Sequence, residues 1–71
     1  MPDPEIKFLS PRGASELTSL STRQLSRLVE DKKFPRPLRL GHGTNGRLAF
    51  VEAEVRAWLH ERVAERDGAD A

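Results

Sequence analysis

The stretch Leu20-Ser21-Thr22-Arg23-Gln24-Leu25-Ser26-Arg27-Leu28-Val29-Glu30-Asp31-Lys32-Lys33-Phe34-Pro35-Arg36-Pro37 decides how this chain is read. Ser21 is a helix N-cap residue, and Gln24 follows it at the spacing of a capping box. Leu20 stands where it can staple the first turn. Leu25, Leu28 and Val29 fall at i, i+3 and i+4, a narrow apolar stripe. Thr22, Arg23, Ser26 and Arg27 are left on the outer face. The helix is expected to fade between Asp31 and Lys33, because Phe34 precedes a proline and is pushed toward extended geometry.

Working toward the N-terminus, Ser10-Pro11 is a second helix start, with Ser as cap and Pro at the first helical position. That helix spans roughly Pro11 to Thr18, with Ala14 and Leu17 facing inward. Gly13 weakens it, so packing must hold it. Residues 1–7 read as a loosely docked arm. Toward the C-terminus, Leu38-Arg39-Leu40 alternates like a short strand, and Arg47-Leu48-Ala49-Phe50 reads as its partner. Between them Gly41-His42-Gly43-Thr44-Asn45-Gly46 is a turn segment, and Asn-Gly is a strong hairpin signal. Val51, Val55, Trp58, Leu59 and Val63 then give one face of a long helix. Glu52 and Glu54 suit the dipole of its first turn. Residues 67–71 read as a disordered tail, leaving residues 8–66 as the domain. The expected core is Leu17, Leu20, Leu25, Leu28, Val29, Phe34, Leu38, Leu40, Leu48, Phe50, Val55, Trp58 and Leu59.

At 71 residues the chain has room for one small domain with a thin core. It has no cysteine, hence no disulfide or cysteine zinc site to add stability. No apolar run approaches the ~20 residues that span a bilayer. The N-terminus lacks a signal-peptide pattern, so a soluble cytoplasmic protein is expected. The net charge of +1 conceals an asymmetry. Residues 1–20 carry three acids and two bases, a charge of −1. Residues 21–50 carry seven bases and two acids, +5, and residues 51–71 six acids and three bases, −3. A basic middle between acidic ends attracts phosphate even when the net charge is near zero. A solvated surface rich in arginine is the alternative.

Helix, short turn, helix, hairpin and long helix make a mostly α, α+β winged helix-turn-helix. The second helix has a thin inner stripe, so its other face is free to enter the major groove of DNA. Arg23 can pair bidentately with guanine and Gln24 with adenine. Arg27 can read a base or grip a phosphate, and Thr22 and Ser26 can donate to phosphate oxygens. Arg12, Lys33, Arg36, Arg39, His42, Thr44, Asn45 and Arg47 are candidates for wing and phosphate contacts. Arg23, Gln24 and Arg27 taken singly are equally well read as ordinary exposed helix residues. His42 and His60 are lone histidines, so no metal and no cofactor is expected. The glycines lack nucleotide-loop spacing, and no nucleophile–base pair is present. Glu52 and Glu54 point in different directions on a helix. Catalysis is not expected.

The chain resembles the AlpA-type phage regulators and small excisionases, which carry a MerR-like winged helix-turn-helix. The resemblance rests on Phe8-Leu9-Ser10, Ala14-Ser15-Glu16-Leu17-Thr18-Ser19-Leu20-Ser21, Leu25-Ser26-Arg27-Leu28-Val29 and Lys33-Phe34-Pro35-Arg36-Pro37-Leu38-Arg39-Leu40-Gly41. It resumes from Phe50 through Glu52-Ala53-Glu54-Val55-Arg56-Ala57-Trp58-Leu59 and covers about residues 8–64. It implies a DNA recognition helix over Thr22 to Val29, with Arg23, Gln24 and Arg27 outward, and a wing over Gly41 to Arg47. Lys32 stands where relatives often have Gly, so a helix end that either differs or is strained is expected. The wing is about three residues longer than the usual pattern, and Phe50 and Ala53 replace more common Trp and Ser.

Members of this kind either activate transcription of an integrase gene or act as recombination directionality factors that steer an integrase toward excision. The resemblance thus implies a bacterial or phage-encoded protein with double-stranded DNA as partner. The sequence favours the directionality factor over the regulator. One helix and a stub follow the hairpin, so no effector-binding domain is expected. So few contacts imply weak binding to one site, and hence self-association on adjacent sites, with a site-specific integrase as a further partner. The acidic face of the last helix is one surface to meet a neighbour's basic middle. A protein-interaction module on the same fold is the remaining alternative.

Overall fold

Ser10 and Ser21 start the two short helices as their spacing predicts. The computed structural model describes residues 5–41 and 47–69. In it Ser10 Oγ accepts from the Gly13 N–H at 3.0 Å, opening α1, Pro11–Thr18. A Cβ on Gly13 would lie 3.3 Å from that hydroxyl, so the glycine lets cap and helix approach closely. Ser19 ends α1 in the left-handed region, at φ 65°. The turn is fastened by side chains of α1 itself. Thr18 Oγ1 accepts from the Leu20 N–H, and Ser15 Oγ donates to the Leu20 carbonyl at 2.6 Å.

The second helix, α2, spans Thr22–Glu30 and has both halves of the capping box. Ser21 Oγ accepts from the Gln24 N–H at 3.1 Å, and Gln24 Oε1 accepts from the Ser21 N–H at 2.9 Å. At its far end the Lys33 N–H donates to the Leu28 carbonyl and the Lys32 N–H to the Val29 carbonyl. This pair of bonds is a Schellman ending, whose left-handed residue is ordinarily glycine. Here it is Lys32, at φ 60°. The expected strain is therefore present, at about 1–2 kcal/mol for a residue with a Cβ.

Three strands follow the order β1-β3-β2, all antiparallel, with β1 at Phe8–Leu9, β2 at Leu38–Leu40 and β3 at Arg47–Val51. The strand β1 was not anticipated, since two residues carry no periodicity. Its chain is also tied further back, because the Glu52 N–H donates to the Lys7 carbonyl at 2.8 Å. Hydrogen bonding to the sheet thus reaches back to Lys7, inside the stretch read as an arm. The last helix, α3, spans Glu52–Ala69 and so continues through residues 67–69, which were assigned to a tail. Ion pairs Glu52–Arg56, Arg62–Glu65 and Arg66–Asp67 run along it.

The core is small: Ala14, Leu25, Phe34, Phe50 and Val55 form one buried cluster. Leu9, Leu17, Leu20, Leu28, Val29, Trp58 and Leu59 pack half-buried around it. Phe34 meets Phe50 and Trp58 edge-on, at centroid distances of 5.6 and 4.9 Å. Trp58 Nε1 donates to the Lys33 carbonyl at 2.7 Å, which pins the strap of residues 31–37 to α3.

Leu38, Leu40 and Leu48 are not core residues, being 38%, 40% and 40% exposed. The register explains why. Leu9 pairs with Phe50 and Arg39 with Leu48, so these four share the face turned toward the helices. Leu38 and Leu40 pair with Ala49 and Arg47 and lie on the opposite face. The alternation Leu-Arg-Leu is therefore inverted relative to a strand that buries its leucines. Leu48 is on the inner face but near the hairpin end, lining a cavity of about 250 Å³ with Thr22, Ser26, Val29 and Pro37 among others. Val63, two turns beyond Val55 on the stripe, is also exposed.

Two substitutions test this account. Lys32→Gly removes the left-handed penalty against the smaller entropic cost of glycine, and should raise stability by about 0.5–1 kcal/mol. The expected result is a higher urea midpoint at unchanged slope; a lower midpoint refutes the strained ending. Trp58→Phe keeps an aromatic ring but removes the indole donor; the exposed Lys33 carbonyl turns to water, so the change should cost about 0.5–1.5 kcal/mol in the same measurement.

Candidate nucleic-acid interface

The outward face of α2 is set by its thin inner stripe. At ~100° per residue, Thr22, Arg23, Ser26 and Arg27 fall within an arc of ~140° opposite Leu25 and Leu28. All four are exposed. Arg23 and Arg27 sit one turn apart on this arc. Neither is held in an ion pair among the described residues. No acidic residue lies in the first turn, where the helix dipole favours an approaching anion. The outward face of α2 thus offers two guanidinium forks unengaged in ion pairs among the described residues, and two hydroxyls.

Gln24 stands differently. Its side-chain oxygen is committed to the Ser21 N–H, and bidentate pairing with adenine uses both that oxygen and the amide NH₂. In the capped arrangement only the NH₂ faces outward. Glu30 is the residue that sequence reasoning passed over. It lies near the middle of the same arc at the C-terminal end of α2, exposed and three residues after Arg27. Its carboxylate repels phosphate, so it marks where a DNA-facing surface must stop. Counting from Arg27 at helical spacing would have found it.

The hairpin separates the two arginines assigned to it. Arg39 shares the helix-facing side with Leu48, whereas Arg47 shares the outer side with Leu40. The two cannot grip one row of phosphates from the same face. His42, Thr44 and Asn45 lie outside the described residues. Lys33 and Arg36 lie on the strap. They line an open cleft of about 910 Å³, together with Lys32 and the α3 residues Glu54, Trp58, Glu61 and Arg62. None of the outward residues of α2 lines that cleft. Arg12 is exposed in the first turn of α1.

Among the described residues, no group of His, Asp and Glu is placed to hold a metal ion, and no helix is long and apolar enough to cross a membrane.

A helix-turn-helix with a cationic second helix and a hairpin wing defines a small DNA-binding regulator. The chain matches the model of the prophage CP4-57 regulatory protein (AlpA) family over residues 7–63, and it belongs to that family. The match starts at Lys7, where the ordered fold closes onto Glu52, and ends at Val63, where α3 has left the core. No curated protein and no solved structure matches the chain.

Glu30→Gln supplies a test of the face itself. Removing one carboxylate near phosphates should tighten DNA binding roughly 2- to 5-fold at low salt, equivalent to ~0.4–1 kcal/mol. The gain should shrink as salt is added. Fluorescence anisotropy with a labelled duplex reads it, and an unchanged affinity at low salt argues against α2 as the DNA-facing helix.

Proposed function

We propose that this protein is a recombination directionality factor: it binds beside an attachment site and tilts a site-specific integrase toward excision. The observation that carries the DNA-binding part is the outward face of α2, where Arg23 and Arg27 stand unpaired one turn apart beside a completed capping box. In this reading Arg23 pairs with a guanine edge in the major groove, and Arg27 reads the next base or grips the adjoining phosphate. Thr22 and Ser26 donate to phosphate oxygens and fix the register. The hairpin, with Arg39 on one side and Arg47 on the other, straddles the neighbouring backbone.

The small size of the contact surface supports the directionality role. One nine-residue helix and one short hairpin give few contacts. A single copy then holds one site weakly, with affinity falling steeply with salt. Architectural action on several sites, bending the DNA into the shape an excising integrase needs, suits such a protein. A second reading, a transcriptional regulator of an integrase or mobile-element gene, is favoured by the description of the family as a regulatory protein.

Arg23→Ala and Arg27→Ala separate base reading from phosphate gripping. Loss of a base-reading arginine should cost about 1–3 kcal/mol, roughly 5- to 150-fold, on the specific site and much less on random DNA. Loss of a phosphate contact should weaken both and lower the salt slope by about 0.9. Gel-shift titration at two salt concentrations reads both effects. If neither variant changes affinity, the protein-interaction alternative takes over. An integrase-dependent excision assay beside a promoter-reporter assay then decides between the two DNA-binding readings: excision that does not depend on this protein, with the reporter responding, rejects the directionality factor.

A further inference from the structure

Gln24 is tied to Ser21 by two bonds, and they leave one polar group over. Its backbone N–H donates to Ser21 Oγ at 3.1 Å, and its side-chain Oε1 accepts from the Ser21 N–H at 2.9 Å. The amide can take only this orientation, because turned over it would set its NH₂ against the Ser21 N–H, donor to donor. Nε2 is therefore on the far side of the amide from that bond. It meets no partner among the described residues, and Gln24 is exposed. A glutamine free to rotate offers a donor and an acceptor; this one offers a donor alone.

The bond to Ser21 folds this side chain back along the first turn, toward the end of α2 whose residues meet base edges in a helix-turn-helix. Gln24 stands ~100° around the axis from Arg23 and ~60° from Arg27. In the major groove guanine O6 and thymine O4 are acceptors, whereas adenine N6 and cytosine N4 are donors. A donor-only amide thus finds a partner on either keto base and a like group on either amino base. Every base pair holds one of each, so such a group reads which strand carries the keto base. Purine N7 accepts on adenine and guanine alike and adds no choice between them. The bidentate pairing with adenine needs the amide oxygen as well, and the cap holds that atom.

We propose that Gln24 is a specificity-determining residue that donates from Nε2 to a keto oxygen, guanine O6 or thymine O4, at one base position of the bound site. The capping box makes the reading one-sided, so the contact that starts α2 also sets part of its target. This rests on α2 lying in the major groove, the reading given above for Arg23 and Arg27. Glutamate inverts the code while keeping the cap. At the third helical position it is the other residue that completes a capping box. One carboxylate oxygen takes the Ser21 N–H, and the second faces outward as an acceptor. A reader of keto bases becomes a reader of amino bases.

Selection from a pool of duplexes randomised over the binding segment, with the bound fraction sequenced, tests this on the wild-type chain, Gln24→Glu and Gln24→Ala. The wild-type motif should hold one position where guanine or thymine on one strand is preferred over adenine and cytosine. The preference should be roughly 2- to 10-fold, the strength of one neutral hydrogen bond. Gln24→Glu should invert it at that position and leave the other positions as they were; Gln24→Ala should flatten it. The added charge of Gln24→Glu weakens binding to all duplexes alike, and the lost cap of Gln24→Ala lowers the folded fraction. Ratios between bases cancel both effects. Circular dichroism melts should place Gln24→Glu near the wild-type chain and Gln24→Ala below it. A Gln24→Glu motif identical to the wild-type motif overturns the proposal and leaves Gln24 as a cap alone. So does a wild-type preference for adenine at the position that Gln24→Ala flattens, which indicates an amide released from the cap and pairing bidentately. Failure of the underlying reading looks different: Arg23→Ala and Arg27→Ala then leave the selected motif unchanged, α2 is not in the groove, and the proposal falls with it.

Discussion

Phe34 is where the parts of this protein are tied together. It sits in the strap that must end α2, reverse the chain and deliver it to β2, and it is only 5% exposed. The edges and faces of Phe50, from the sheet, and Trp58, from α3, close around it. Such pairs add ~0.5–1.5 kcal/mol each beyond the area they bury. The indole N–H of Trp58 then takes the carbonyl of Lys33, one residue away from the ring it packs against. That bond fastens a strap without regular structure directly to α3. Pro35 and Pro37 stiffen the path on either side of Arg36. With so few buried residues in total, no second cluster exists among the described residues to set how α2 stands relative to the sheet and α3. The orientation of α2 therefore rests on this one cluster, to which it contributes Leu25, and on the strap that Phe34 and the Trp58 hydrogen bond hold in place.

Much of this was legible because the relevant signals are local. Both helix starts follow from Ser10 and Ser21, whose caps need only the next three residues. The strained end of α2 was foreshadowed by a lysine where a glycine fits better, and it takes the Schellman geometry with that lysine left-handed. What could not be read locally is the facing of the hairpin. Alternation identifies a strand but not which face is covered, and a one-residue change of register exchanges the two. The alternation Leu-Arg-Leu suggests leucines turned inward, whereas pairing with Ala49 and Arg47 puts Leu38 and Leu40 outside. Likewise β1 is too short to show a period. It exists because the long β3 has an open edge for Phe8 and Leu9, a fact that resides in the tertiary arrangement. Gln24 has two uses for one side-chain oxygen: bidentate pairing with adenine engages it, and in this structure the capping box holds it.

The division of surfaces follows from the thinness of the core. A domain of this size cannot bury all its apolar residues behind a single cluster, so some must lie outside. Phe8, Leu38 and Leu40 share the outer sheet face, while Leu48 and Val63 are exposed elsewhere; the outward face of α2 has no apolar residue and carries arginines, hydroxyls and Glu30. Cations are likewise partitioned, with Arg23 and Arg27 on α2 and Lys32, Lys33 and Arg36 on the strap beside Glu54 and Glu61. The basic middle of the sequence is thus two separate basic surfaces in the fold, α2 with Glu30 on its outward arc and the strap beside Glu54 and Glu61.

The narrowness of the outward face bears on how a regulator of this size can act selectively on DNA. A nine-residue helix with two arginines on its outer arc reaches few base edges, and Glu30 limits the arc at its C-terminal end. Most of the affinity of such a surface comes from phosphates, which carry no sequence information and weaken steeply with salt. Selectivity from one copy on one site is therefore small. Were copies held side by side on neighbouring sites, the local concentration each provides for the next would raise occupancy of the whole row without any new contact to DNA.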